Sequence, residues 1–205
     1  MIVIMFQSTN IQPTNIQPKV FQYCPSCASK SIQFDGRKFR CPDCDFLYYH
    51  NTAAATGCVI QSGEKVLLLV RGKEPSLGKL DLPGGFVDSG EGMLDGLCRE
   101  LREELGWLPP FPPGASPAEV FSIFASFPNT YPYKNIVYNT CDVFFTVSAP
   151  DLTEKDLRLE AGEITGVRFM RLYEIKDEDL AFDSTRRAME AFRGYSSGKS
   201  SQYMA

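Results

Sequence analysis

The stretch that decides the fold is residues 85–107, which read GFVDSGEGMLDGLCRELREELGW. Glycines at its start predict a loop, and apolar side chains that recur at helical spacing predict an α-helix from Glu91 to Leu105. These apolar side chains are Leu94, Leu97, Cys98, Leu101 and Leu105. They form a single stripe, which we expect to face a β-sheet.

Three glutamates share one patch of this predicted helix. Glu100, Glu103 and Glu104 stand at positions i, i+3 and i+4, so their carboxylates lie close together. Like charges at this spacing repel by about 0.2–0.5 kcal/mol per pair. A hard divalent cation would relieve the repulsion, because Mg²⁺ prefers oxygen ligands and shares them with phosphates. Taken alone, the glutamates also fit a solvated acidic helix face.

The spacing around the glutamates is more specific than the glutamates themselves. Gly85 is followed after five residues by Glu91 and after seven more by Arg99-Glu100-Leu101. Glu103-Glu104 and Gly106-Trp107 then follow, each after one intervening residue. This spacing resembles the Nudix box at every fixed position, and the usual family lead-in, Leu82-Pro83-Gly84-Gly85-Phe86, precedes it. The resemblance implies an α/β Nudix fold, in which a mixed β-sheet is sandwiched between α-helices. It also implies hydrolysis of a phosphoanhydride bond in a nucleoside-diphosphate derivative.

The resemblance implies a catalytic metal site. Glu100, Glu103 and Glu104 would bind divalent ions or activate water, and the backbone carbonyl of Gly85 would be a further ligand. The expected ion is Mg²⁺ or Mn²⁺, because both accept carboxylate oxygens.

Other roles follow from the same resemblance. Arg99 would orient a glutamate of the box, and Glu91 would support the substrate-binding loop. A glutamate beyond the box often completes sites of this family. We expect it to be Glu163, with Glu160 as the competing candidate.

Four cysteines precede the predicted enzyme domain in two C-x2-C pairs, Cys24 with Cys27 and Cys41 with Cys44. Four thiolates suit a closed tetrahedral zinc site, so the pairs predict a structural zinc ribbon rather than a catalytic zinc. Free thiols or disulfides are the alternatives. The remaining cysteines fall in predicted strands or helices and are expected to be buried. They are Cys58, Cys98 and Cys141.

The chain is predicted to have four parts. We expect an extended arm over residues 1–22, a zinc ribbon over 23–50, a Nudix hydrolase domain over 51–195 and a tail over 196–205. Within the hydrolase domain, apolar and β-branched runs predict strands. These are Ala53–Gln61, Lys65–Arg71, Val120–Phe127, Val137–Val147 and Ile164–Met170, and a closing helix is predicted over Ser184–Phe192.

A ribbon before a Nudix domain resembles NADH pyrophosphatases and related hydrolases of ADP-ribose and FAD. The chain departs from their Ser-Gln-Pro-Trp phrase, because residues 126–129 read Ser-Phe-Pro-Asn. In the replacement segment, Phe127, Tyr131 and Tyr133 are candidates to stack on a base, and Lys134 to meet a phosphate. A surface loop broken by Pro128 is the competing interpretation.

Composition limits the remaining alternatives. The formal net charge of −4 argues mildly against a broad nucleic-acid or membrane surface, and no apolar run reaches the length of a membrane helix. We therefore expect a cytoplasmic enzyme that acts on a small nucleotide, and the family resemblance implies a homodimer. The competing functions are a nucleotide sensor, which would typically lose box glutamates, and an RNA cap-removing hydrolase.

Overall fold

The computed structural model describes residues 21–134 and 136–196. Two compact units emerge. One holds the described residues up to Thr52 together with those of Thr130–Asn139, and the other holds those of Ala53–Asn129 and from Thr140 onward. The expected arm and tail lie outside the described residues except at their inner ends.

The first unit contains a small antiparallel sheet of three strands in the order β1-β2-β3. Strands β1 (Gln33–Phe34), β2 (Lys38–Arg40) and β3 (Leu47–Tyr49) form it. Phe39 on the central strand is buried, and its ring centroid lies 5.0 Å from that of Phe21. Aromatic packing of this kind supplies the small core that so short a segment needs.

The second unit contains most of a six-stranded sheet in the order β6-β5-β4-β8-β7, with β9 paired to β5, while the end of β7 and the start of β8 fall in the first unit. Strands β4 and β8 are parallel, whereas β5 pairs antiparallel with β4, β6 and β9. The strands are β4 (Ala53–Ser62), β5 (Lys65–Arg71), β6 (Leu80–Asp81), β7 (Ser122–Tyr133), β8 (Ile136–Ser148) and β9 (Ile164–Arg171).

Helices cover both faces of this sheet. Helix α1 (Met93–Leu105) packs its predicted apolar stripe on one face, where Leu97, Leu101 and Leu105 are fully buried. Helix α3 (Asp183–Ser196) packs on the other face through Met189 and Phe192. Burial of each large apolar side chain contributes about 1.5–3 kcal/mol. The predicted sandwich of a mixed sheet between helices is therefore confirmed. A one-turn helix, α2 (Pro117–Val120), precedes β7.

One competing interpretation and one expectation are wrong. The surface loop broken by Pro128, which was the competing interpretation of this segment, does not form, because β7 continues through Pro128 and Pro132 to Tyr133. This strand is at the edge of the sheet, where a residue without an N–H group is tolerated. Cys141 is exposed rather than buried, because it lies on the side of β8 whose neighbours Val137 and Asn139 also face solvent.

The other two isolated cysteines are buried as expected. Cys58 lies on β4 and Cys98 on α1, and both belong to the core between the sheet and this helix. No helix within the described ranges is long and apolar enough to cross a membrane.

Candidate active site

Arg99 is the organising cation of the box. Its Nε donates to Glu91 Oε1 at 2.8 Å, and its Nη1 donates to Glu100 Oε1 at 2.8 Å and to Glu103 Oε2 at 3.0 Å. Its Nη2 donates to Glu91 Oε2 at 3.0 Å and to the carbonyl of Phe86 at 2.9 Å. All five N–H donors of the guanidinium are thus engaged, so Arg99 ties the helix to the glycine loop.

Glu91 occupies the turn before α1 and not the helix itself. Its carboxylate takes two donors from Arg99 and a third from the amide of Asp88. The Arg99 hydrogen bonds, followed by the Asp88 amide, lower the pKa of Glu91. Glu91 therefore stabilises the loop of residues 85–91 through these hydrogen bonds.

Glu104 is the most buried carboxylate of the box, with 8% of its surface exposed. The amide of Gly84 donates to its Oε2 at 2.8 Å, which fixes the side chain against the loop. Burial raises the pKa of Glu104 well above its ordinary value, and the negative charges of Glu100, Asp81 and Glu163 raise it further.

Glu100 lies against the glycine loop. A Cβ atom added at Gly85 would come within 2.5 Å of Glu100 Oε1, so glycine permits the close approach of this carboxylate. Burial raises the pKa of Glu100 against the lowering effect of Arg99, and nearby Glu103 and Glu163 add to the increase. The three box glutamates therefore form one patch, in which Glu103 is the exposed member.

Glu163 approaches the same patch from the start of β9. Its charge raises the pKa of both Glu100 and Glu104, and its carboxylate forms an ion pair with Lys73. Its carbonyl accepts the amide of Gly72 at 2.6 Å. Glu160 contacts the helix through its backbone instead, donating its amide to the Glu104 carbonyl at 3.1 Å.

The NUDIX domain model matches residues 51–192, which span the whole six-stranded sheet, α1, α2 and most of α3. The chain belongs to the NUDIX family. Its Nudix box is the loop and helix just described.

Named relatives match over shorter stretches. An ADP-ribose pyrophosphatase from Methanocaldococcus jannaschii is 41% identical over 63 residues, which cover 31% of this chain and 37% of that protein. The NAD-capped RNA hydrolase NudC from Pseudomonas fluorescens is 33% identical over 85 residues, which cover 41% of this chain and 30% of that protein. The matches thus span well under half the length of these curated relatives.

A solved structure agrees over most of the chain. The crystal structure of a NUDIX hydrolase from Nitrosomonas europaea superposes with a TM-score of 0.59 at 23% identity. The match covers 87% of this chain and 94% of that chain, so the two share their fold.

The expected substrate residues are divided between the two units. Tyr131, Tyr133 and Lys134 lie in the segment that belongs to the first unit, where Lys134 Nζ sits 5.2 Å from the centroid of the Tyr133 ring. Phe127 belongs to the second unit, and the Arg187 guanidinium covers its ring at 4.4 Å. Phe127 therefore already has a cationic neighbour from α3.

Three contributors to the Nudix site were not predicted from the sequence. They are the Gly84 amide, which holds Glu104, Asp81, whose charge acts on Glu104, and Lys73, which pairs with Glu163. Asp81 and Gly84 flank the Leu82-Pro83 pair of the lead-in, so that motif could have drawn attention to both. Nothing in the sequence singles out Lys73.

The four cysteines of the expected ribbon form one cluster, with all Sγ atoms within 4.8 Å of one another, a spacing that suits the ligands of a single metal ion. Cys24 Sγ lies 3.6 Å from Cys44 Sγ, and Cys27 Sγ lies 3.7 Å from Cys41 Sγ. Burial opposes ionisation of Cys24, but the amides of Cys27 and Ser26, together with the thiols of Cys44 and Cys27, lower the pKa of Cys24 to about 7. Although a backbone amide opposes the change, hydrogen bonds with the other three thiols, together with burial, raise the pKa of Cys27, so the cluster favours ionisation at Cys24 first. A thiolate with backbone donors is the form that binds zinc.

Proposed function

We propose that the chain is a divalent-metal-dependent hydrolase that cleaves the phosphoanhydride bond of ADP-ribose, NADH, FAD or a similar nucleoside-diphosphate derivative. The observation that carries this proposal is the carboxylate patch of Glu100, Glu103 and Glu104 beside the Gly85 loop. Its only contacting guanidinium among the described residues, that of Arg99, is fully engaged within the box. Folding alone gives no reason to collect these charges.

The donor set fits Mg²⁺ or Mn²⁺. It consists of oxygen atoms, and two of the carboxylates, Glu100 and Glu104, are buried enough for their pKa values to be raised, which a cation would reverse. The Gly85 carbonyl accepts the Thr56 amide at 2.9 Å and retains a second lone pair. A bound ion would neutralise phosphate charge and make an attacking water more acidic.

The protein's own groups hold this arrangement in place. Arg99 fixes Glu100 and Glu103 relative to the loop, and the Gly84 amide aims Glu104. Such preorganisation removes the cost of reorienting charged groups during reaction. We assign Glu163 as the glutamate that completes the site, because its charge acts on both buried box carboxylates.

Glu163→Gln is expected to lower kcat/KM by about 10–100-fold, because it removes one carboxylate from the site. Glu160→Gln is the matched control, three residues away in the same segment, and is expected to change kcat/KM less than about threefold. Steady-state kinetics on one preparation of each variant checks the assignment. A larger loss in Glu160→Gln would transfer the role to Glu160.

The test of the function is a product assay with Mg²⁺ or Mn²⁺ on ADP-ribose, NADH, FAD, a nucleotide sugar and a nucleoside triphosphate. We expect release of AMP from a dinucleotide or from ADP-ribose, and loss of release when Glu103 and Glu104 are both changed to glutamine. Binding without turnover of any compound would favour a nucleotide sensor instead.

A second candidate is removal of an NAD cap from RNA, favoured by the similarity to the NudC relative. The ribbon carries basic residues that could contact a nucleic-acid backbone, but acidic residues lie among them. The basic residues are Lys30, Arg37, Lys38 and Arg40. Turnover of NAD-capped RNA at a higher kcat/KM than NADH, falling steeply with salt, would support this candidate.

The cysteine cluster is proposed to hold a structural zinc ion, because four thiolates leave no coordination position open for substrate. The proposed parts of the chain are those expected above, with the ribbon over residues 23–50 and the hydrolase domain over 51–195. A homodimer is part of the same proposal.

A further inference from the structure

Three neighbouring backbone segments of the second unit place Phe86, Ala55 and Asp142 in one row. Ala55 on β4 pairs in register with Asp142 on β8, and on its other side it bridges Phe86 of the glycine loop. Directly paired residues point to the same face of a sheet. With about 4.8 Å between neighbouring strands, the outer two Cα atoms lie about 10 Å apart.

The middle of this row is lined by small side chains. Ala53 and Ala55 alternate on the same face of β4, and both are partly exposed. Ala53 pairs in register with Thr140, two residues before Asp142. These residues define an alanine groove, with Phe86 on one side, Ala53 and Ala55 as the floor, and Thr140 and Asp142 on the other side.

The polar side of the alanine groove carries two buried hydrogen-bonding atoms without a partner in the described part of the chain. Thr140 is 3% exposed and Asp142 is 9% exposed, yet Thr140 Oγ1 and Asp142 Oδ1 have no hydrogen bond to any described residue. The other carboxylate oxygen of Asp142 accepts Asn129 Nδ2 at 3.2 Å, which holds the side chain in place. Because nearly all buried polar atoms in folded proteins are hydrogen-bonded, these two atoms point to a bound partner.

The aromatic side of the groove is continuous with the Nudix box. The carbonyl of Phe86 accepts Arg99 Nη2, and the carbonyl of the preceding residue, Gly85, accepts the Thr56 amide. A molecule lying across the alanine groove therefore ends beside the loop that supports the box glutamates.

The charge of the groove decides which part of a nucleotide it fits. An ionised Asp142 accepts hydrogen bonds and repels phosphate, whereas the Thr140 hydroxyl both donates and accepts. We propose that the alanine groove binds the nucleoside half of the substrate, with hydrogen-bond donors of that half on Asp142 Oδ1 and Thr140 Oγ1. This inference rests on the proposed nucleotide hydrolase function and names the residues that select the nucleoside.

Two parts of an adenosine carry suitable donors, namely the ribose diol and the amino group of the base. Calorimetric titration with Mg²⁺ and three probes separates them. AMP carries both groups, IMP lacks the amino group, and 2′,3′-dideoxy-AMP lacks the diol. We expect the wild-type protein to bind AMP at least about tenfold more tightly than one of the other two, because a hydrogen bond to a charged group is at stake.

Substitutions in the groove show which residues cause the difference in nucleotide binding. Asp142→Asn and Thr140→Val are expected to weaken AMP binding, by about tenfold or more for the first, and to have little effect on the probe that lacks the recognised donor. Thr146→Val on the same strand and Asp151→Asn just beyond it are matched controls, since Thr146 Oγ1 already donates to the Val59 carbonyl and Asp151 is exposed. Thermal unfolding of each variant verifies that it is folded.

The groove proposal is overturned if wild type does not bind AMP, if it binds the three probes equally, or if Asp142→Asn weakens all three equally. These outcomes are separate from failure of the hydrolase. If Asp142→Asn turns over ADP-ribose with an unchanged KM, the groove proposal is overturned and the hydrolase proposal stands. If the protein binds AMP selectively but turns over no substrate, the hydrolase proposal is overturned and the groove proposal stands.

Discussion

Glu104→Gln is expected to lower kcat/KM by about 10³-fold or more, the largest catalytic effect of any single change in this chain. The amide keeps the size of the side chain and still accepts the Gly84 amide, but it removes the most buried negative charge of the box. Initial rates on the substrate identified by the product assay measure the loss. Glu190→Gln, on the exposed side of α3, is the matched control and should retain full activity.

The same variant is expected to stabilise the metal-free fold at neutral pH. The pKa of Glu104 is raised in the folded protein, so the folded protein keeps a proton that the unfolded chain releases. The associated stability is fully present below about pH 4.5, the ordinary pKa, and is lost as pH rises through the raised pKa. Glutamine does not titrate, so the variant does not lose this stability as pH rises.

Thermal unfolding in EDTA tests the stability effect. At pH 8, Glu104→Gln should be more stable than wild type by about 1–3 kcal/mol, the usual penalty of a buried unsatisfied polar group, and the difference should shrink toward pH 4.5. Added Mg²⁺ should stabilise wild type more than the variant. An equally active variant, or one destabilised at pH 8, would contradict the assignment of Glu104 as a buried metal-binding carboxylate.

Loss of zinc is expected to be the largest structural effect. Cys41→Ser should abolish stoichiometric zinc binding and unfold the ribbon, because Cys41 is completely buried in a cluster of four cysteines. Structural zinc sites in small domains contribute about 10–16 kcal/mol of apparent binding free energy at neutral pH. The second unit has its own two cores and should keep its unfolding transition.

Zinc content by elemental analysis and amide signals of β1–β3 by NMR measure this effect. Cys141→Ser is the matched control, because this exposed thiol lies outside the cluster. It should retain one zinc ion per chain and the ribbon signals. One zinc ion per chain in Cys41→Ser, with those signals unchanged, would show that the cluster is not a four-cysteine zinc site.

The sequence by itself determined the family and the ligand residues of the two metal sites that we propose. The glycine loop, the helix and its glutamates are consecutive in the chain, so fixed helical geometry places Glu100, Glu103 and Glu104 together without any tertiary contact. The cysteine pairs are equally local, since each pair is one short turn. Amphipathic spacing in residues 91–105 likewise predicted which side of α1 is buried.

Only the tertiary structure shows which distant charges act on the glutamates of the Nudix box. Glu163 and Glu160 are competing candidates in the sequence, and it is the charge of Glu163 that acts on Glu100 and Glu104, because the start of β9 meets the loop after β5. Residues 128–133 can form a strand because β7 lies at the edge of the sheet, where no hydrogen bond from Pro128 is needed.

The alanine groove shows most clearly what only the tertiary structure reveals. Phe86 belongs to the lead-in of the box, whereas Ala55 and Asp142 are far from it in the chain and carry no motif. The three meet because a parallel pairing and a single bridge set their register. Helical spacing is fixed by the local geometry of the chain, so a sequence reveals it directly. Register between strands depends on which segments pack together, so only the folded sheet reveals the residues that share its face.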